Sequence, residues 1–137
     1  MRLLIWHVDA FVAEPTERGR SKIADAEPRA VRVEEAVVVF AAAEKADEAE
    51  PDAVATRAAS AIDDIARRLG AREIVLHSFA HLFVELSTPA IARQILDDTQ
   101  RLLQEQGYSV AQSAFGWFNT LDLRAKGHPL SRVARQV

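Results

Sequence analysis

Four histidines, at positions 7, 77, 81 and 128, are the side chains best suited to moving a proton or holding a metal near neutral pH, and the chain has no cysteine. Without thiolates, zinc ribbons, Fe–S clusters, thiol nucleophiles and disulfide scaffolds are excluded together, so any metal would need His with Asp or Glu. His77, His81 and Glu85 stand at i, i+4 and i+8, which on one continuous helix would align three ligands along a face. His77, however, closes a β-branched run and Ser78 reads as the break after it, so no shared helix, and neither metal nor cofactor, is expected. No Ser-His-Asp order or Walker pattern is present, and Glu17-Arg18-Gly19-Arg20 offers one glycine where a phosphate cradle needs several. His81, flanked by Ala80 and Leu82 with phenylalanines at 79 and 83, fits a satisfied half-buried histidine as well as a functional one.

The elements that would position these groups can be read from spacing. Leu3 to Val8 is a short apolar run ended by Asp9, a buried first strand, and the polar stretch Glu14 to Glu27 with Pro15 and Gly19 reads as a long loop. Arg32 to Ala43 is apolar on both faces, as a central strand is. Val54, Ala58, Ile62, Ile65 and Leu69 recur at helical spacing up to Gly70, and Glu73 to His77 is another strand. Thr88-Pro89 opens a second helix, with Ile91, Ile95, Leu102 and Leu103 on its buried stripe and Gly107 at its end. Tyr108–Ser113 and Trp117–Leu123 read as strands on either side of Gly116. Trp117, Asn119, Leu121 and Leu123 share one face of the latter, so the Asn119 amide is either hydrogen-bonded in the core or lines a pocket. Ser131–Arg135 reads as a basic helical end. The order predicts one α/β domain over residues 1–137, a mixed β-sheet with two main helices.

Composition sets the outer limits. With 49% hydrophobic and 27% charged residues, the chain can bury a core without staples, and its longest apolar run, Ala36 to Ala43, is too short to span a bilayer. A signal peptide is also missing from the sequence pattern, and the lack of cysteine suits a reducing, cytoplasmic setting. The net charge of −3 argues against a nucleic-acid binder, but the charge is uneven. Arg18, Arg20, Lys22, Arg29 and Arg32 form one basic island, and Arg124, Lys126, Arg132 and Arg135 another. Each is large enough to touch a few phosphates and too small to hold a duplex; a solvated face is the plainer reading of either.

Taken together, Phe79-Ala80-His81-Leu82, Glu85-Leu86, Pro89, Phe115-Gly116 and Lys126-Gly127-His128-Pro129-Leu130 resemble the archaeal N-terminal editing domain of threonyl-tRNA synthetase. The resemblance covers nearly the whole chain and implies a fold like that of D-aminoacyl-tRNA deacylases. It implies a homodimer and an ester hydrolase that removes serine from threonine tRNA at its 3′ end, with no membrane partner. It also implies that these residues came from a longer chain carrying the remaining synthetase or an anticodon-binding domain. Serine is threonine less one methyl, and a synthetic pocket rejects the smaller residue by only about 1–3 kcal/mol, so a second sieve is needed. By the resemblance, Ala43, Ser78, Phe79, Ala80, Phe115, Gly116, Trp117 and Phe118 would bind substrate, with His81 at the mouth, and Lys126, His128 and Arg132 would touch tRNA.

The catalytic positions depart from the family pattern. Two tyrosines and a lysine follow Phe-Gly in better-known members, where this chain has Trp117, Phe118 and Asn119, and a glutamate farther on is Arg132. Asn119 can orient water but cannot act as a base at neutral pH. The expected mechanism therefore relies on the terminal adenosine's own 2′-hydroxyl and on main-chain N–H donors, with His81 and Asn119 placing water. Two other functions stay open: hydrolysis of D-aminoacyl-tRNA, and a non-catalytic tRNA-binding or dimerisation module.

Overall fold

The computed structural model describes residues 1–82 and 85–137, so Phe83 lies outside the described residues. The chain runs β1 (Arg2–Arg18), β2 (Val31–Ala42), α1 (Pro51–Leu69), β3 (Glu73–Ser78), α2 (Pro89–Glu105), β4 (Ser109–Gln112), β5 (Trp117–Ala125) and β6 (Arg132–Gln136). Short 3-10 helices, Lys45–Ala49 and Ala80–Leu82, follow β2 and β3. The sheet order is β4-β3-β2-β1-β5, with β6 also paired to β1. The β2–β3 and β3–β4 pairs are parallel and the others antiparallel, so the expected mixed sheet with two helices is what forms.

Both parallel connections are crossovers, and each uses one of the helices to bury an apolar stripe on the sheet. Ile62, Ile65, Ile95 and Leu103 pack with Leu3, Ile5, Val37, Val39, Ile74 and Leu76. The alternate residues of β2, Ala36, Val38 and Phe40, join Val8, Phe11 and Val75 in a second cluster on the opposite face. That two-sided burial explains why β2 reads as uniformly apolar. Pro51 and Pro89 each open a helix in the first turn, where a missing N–H leaves no bond unmade.

Three sequence expectations need correction. Strand β1 does not end at Asp9 or give way to a loop at Glu14. It runs to Arg18, with register shifts at Val8/Ala10 and Pro15/Glu17 that accommodate Asp9 and Pro15. Local breaker signals lose here because β5 supplies a continuous partner. Residues 131–135 are not a helix: Arg132–Gln136 is a strand on the edge of β1, with Val133 opposite Ile5. The backbone gains a ladder there that a short isolated helix could not match.

Candidate functional site

At the carboxyl ends of β2 and β3 the sheet opens into a cavity of about 190 Å³. Strand pairing aligns Ala41 with Ser78, and Phe79 N–H donates to Ala41 O at 2.8 Å, which carries the chain over the cavity into the Ala80–Leu82 turn. Segment 85–87 is then laid back along β2's end: Lys45 N–H donates to Glu85 O and Ser87 N–H to Ala43 O, both at 3.0 Å. Ala41, Ala42, Ala43, Ser78, Ala80 and Ser87 therefore line one wall, and Pro89, Ala92 and Leu96 of α2 with Phe115 and Gly116 line another. Met1, Ser21 and Leu86 complete the lining. The first wall is built of alanines and serines alone, and among the described residues the whole lining carries three serine hydroxyls and no charged side chain.

A shallower groove of about 240 Å³ continues outward from it, sharing Ser21, Ser78, Ala80 and Gly116 and adding Arg20, His81, Trp117 and Phe118. Phe118 is 55% exposed, and the other large apolar side chains exposed among the described residues are Ile23 and Leu86, both from segments that border the same opening. Exposed apolar groups gathered at one opening mark a ligand surface more than a packing fault.

The rim is held by Asp25, a residue to which sequence reasoning gave no role. Its carboxylate accepts from Phe115 N–H at 2.8 Å and from Arg93 Nη1 at 2.6 Å, and its carbonyl accepts from Trp117 Nε1 at 2.9 Å. Asp25 N–H donates back to Phe115 O. Arg93 also lies over the Phe115 ring at 5.3 Å, and its guanidinium is held further in the charged form, first by the Asp25 hydrogen bond. Gly19 N–H donates to Gly116 O at 2.8 Å. A Cβ on Gly116, whose φ is +76°, would stand 2.7 Å from Ala24 Cβ, so only glycine lets the 19–25 segment close on this turn. The anchoring is tertiary, and no periodicity or motif announces it.

Of the residues predicted to bind substrate, Ala43, Ser78, Ala80, Phe115 and Gly116 line the cavity, and Trp117 and Phe118 line the groove beside His81. Phe79 turns away: its ring packs on Phe40 at 5.5 Å in the second cluster. Asn119 lines neither space. Its Nδ2 donates to Trp117 O at 2.9 Å, and its Oδ1 is buried with no partner among the described residues. His77 is buried below Ser78, with Nδ1 2.7 Å from Ser113 Oγ, and burial pushes its pKa down to about 4. His77 in β3, His81 in a 3-10 turn and Glu85 in a bend share no helix.

Of the three expected tRNA contacts, Lys126 and His128 are engaged by partners within the fold and Arg132 is exposed. Lys126 Nζ is 2.5 Å from Asp9 Oδ1 and 2.9 Å from Glu35 Oε2, and these bonds, Asp9 first, raise its pKa. His128 Nε2 is 2.9 Å from His7 Nδ1, and the His7 pKa is lowered by burial and then by Lys126. Arg132 lies 6.0 Å from the Trp6 ring. None of them lines the cavity or the groove.

A family model described as "Archaea-specific editing domain of threonyl-tRNA synthetase" matches residues 1–137. Among curated proteins, the threonine–tRNA ligase of Methanopyrus kandleri is 43% identical over 139 residues, covering 100% of this chain and 22% of the relative. Those of Thermococcus gammatolerans and Methanocaldococcus jannaschii are 36% and 35% identical with the same coverage. The chain thus spans about a fifth of the length of the relatives it matches. The solved structure of a protein named c-Myc DNA Unwinding Element Binding Protein superposes with a TM-score of 0.65 at 10% identity, covering 100% of this chain and 99% of that one. This last likeness bears on fold alone, and it agrees with the mixed-sheet α/β fold with two helices expected from the sequence.

Proposed function

Because the chain belongs to the archaea-specific editing-domain family of threonyl-tRNA synthetase, we propose that it removes L-serine mischarged on threonine tRNA by hydrolysing the aminoacyl ester at the terminal adenosine. The observation that carries this reading is the small-residue wall of Ala41 to Ala43, Ser78 and Ala80 around a space of about 190 Å³. Such a wall admits a hydroxymethyl group and offers it serine hydroxyls, and on this reading the ester is seated with its side chain against the wall, where the extra methyl of threonine would collide. Close walls are what a sieve needs, because a loose apolar pocket discriminates a single methyl by only about 10–200-fold.

Among the described residues the cavity lining is alanine, serine and apolar side chains without a charged one, which supports a reaction assisted by the substrate. Water adds to the ester carbonyl, its proton passes to the departing 3′-oxygen, and serine leaves the ribose. The neighbouring 2′-hydroxyl of the substrate positions the water, and main-chain N–H groups at the start of the Ala80–Leu82 turn meet the developing oxyanion. His81, at the groove, holds ribose or water and is not the indispensable base. Asn119 supports Trp117 through its bond to the carbonyl, and its effect on turnover is indirect.

The test is a side-by-side deacylation assay with L-seryl-, L-threonyl- and D-aminoacyl-tRNA. Turnover of the seryl ester alone is the expected result. Turnover of the D-aminoacyl ester alone would reassign the domain to chiral proofreading, and binding of tRNA ends without turnover of any ester would make it a non-catalytic module. On this reading the domain acts beside the remaining synthetase domains and pairs with a second copy of itself; sedimentation equilibrium of the 137-residue chain tests the pairing, with a monomer as the refuting result.

A further inference from the structure

The two basic islands of the sequence become unequal once folded. In the C-terminal island, Arg124 and Lys126 face Asp9, Arg132 lies over Trp6, and Arg135 is exposed with no ion pair among the described residues. In the N-terminal one, Arg32 is paired with Glu14 and Arg29 with Glu27. Arg18, Arg20 and Lys22 remain: all three are exposed, and none forms an ion pair among the described residues. They stand within five consecutive positions at the end of β1, where Arg18 is in register with Trp117 and Arg20 lines the groove itself.

The segment is fixed in place. The Gly19–Gly116 bond and the Asp25 anchors fix the backbone of residues 19–25 beside the mouth, and of the three cations Arg20 lines the groove. The half-exposed ring of Phe118 lines the same groove as Arg20, and its partner in register on β1 is Glu17. Unpaired cations next to an exposed aromatic face on an otherwise acidic chain are the combination that binds single-stranded nucleic acid: charge tracks the backbone, and the ring takes a base.

Resting on the editing reading, we infer that Arg18, Arg20 and Lys22 form a phosphate-binding lip for the single-stranded nucleotides immediately 5′ of the terminal adenosine, with Phe118 as a stacking surface for a base. Contact with the tRNA backbone thus belongs to the end of β1 and not to the Lys126–Arg132 stretch. The lip orients the strand, and the uncharged cavity reads the amino acid.

Two probes separate the lip from the cavity: a labelled single-stranded RNA ending in CCA, and a phosphate-free, non-hydrolysable 3′-serylamino-adenosine. The full 137-residue chain is compared with the triple variant Arg18→Gln/Arg20→Gln/Lys22→Gln and with Arg124→Gln/Arg135→Gln, a control that removes two exposed cations from the other island. Each single-strand phosphate contact contributes about 0.7 to the slope of log affinity against log salt, so the triple variant should lower that slope by about 2 and weaken RNA binding roughly 20-fold at low salt. The control should stay within about 2-fold, and the phosphate-free analogue should bind all three proteins alike. An unchanged slope in the triple variant, an equal loss in the control, or no RNA binding by the parent chain would overturn the lip. If instead the serylamino-adenosine fails to bind while RNA binding keeps its dependence on the three cations, the editing reading fails and the lip survives.

Discussion

Acidification should unfold this protein through His77 in particular. The imidazole is 5% exposed, enclosed by the rings of Phe40, Phe79 and Phe11 with centroids 5.4, 5.9 and 6.3 Å away, and its Nδ1 meets Ser113 Oγ at 2.7 Å. Burial lowers its pKa from 6.5 to about 4, so the unfolded chain takes up a proton that the folded chain refuses across that interval. Stability supplied by the neutral ring is therefore complete above pH 6.5 and is lost as the pH falls towards 4, by about 2 kcal/mol at pH 5 and about 3 kcal/mol at pH 4. Urea unfolding followed by fluorescence of Trp6 and Trp117, at half-unit steps from pH 7 to 4, measures the loss directly. His77→Gln keeps a polar partner for Ser113 and cannot titrate, so its stability should decline less steeply, the two curves converging by about 2–3 kcal/mol over the range. Parallel curves would show that the ring is not held neutral, and the burial argument for the strand beneath Ser78 would fall with it.

Ala43→Val places two methyls against the small-residue wall. It should lower kcat/KM for seryl-tRNA at least tenfold with a change in Tm of only a few degrees, and retained turnover would mean that the sieve lies elsewhere. Gly116→Ala forces a Cβ to 2.7 Å from Ala24 at φ +76° and should cost about 2–3 kcal/mol in urea unfolding, together with protease sensitivity of the 19–25 segment. Asp25→Ala leaves Phe115 N–H without its acceptor and should cost about 1–3 kcal/mol, with a loss of turnover larger than that of an equally destabilising change on α1. Seryl-tRNA ending in 2′-deoxyadenosine should be hydrolysed at least a hundredfold more slowly than its ribose counterpart, whereas Asn119→Ala should change turnover less than about threefold; the reverse pattern would place catalysis on the protein side chain.

What was legible in the sequence follows from how local each signal is. Helix α1 is written in the spacing of Val54, Ala58, Ile62 and Ile65, and β2 in its unbroken apolar run, because both bury the same residues that define the pattern. Ala43, Ser78 and Ala80 were named through the family resemblance, and the structure brings these strand ends together along the cavity. Strand β6 was not: only Val133 is substantially shielded on it, and its pairing depends on an edge of β1 far away in sequence. For the same reason Glu14–Arg18 looked like loop, although β5 makes it strand. Asp25 carried no signal in composition or spacing; its importance lies wholly in which N–H groups the fold brings to it.

Strand β1 is bonded on one edge to β2, its neighbour in sequence, and on the other to β5 and β6, the last strands to appear. During synthesis the β1–β2 hairpin, α1 and β3 can come together while the far edge of β1 still lacks any partner, since non-local strands can join only after they exist. Until residues 117–136 leave the ribosome, that edge is a row of open N–H and C=O groups able to capture another nascent chain. The alanine wall of the cavity is thus laid down early, whereas the lip that faces the nucleic acid acquires its backing only when β5 arrives. A ribosome stalled between β4 and β5 would release a chain with part of its pocket formed and an adhesive edge beside it.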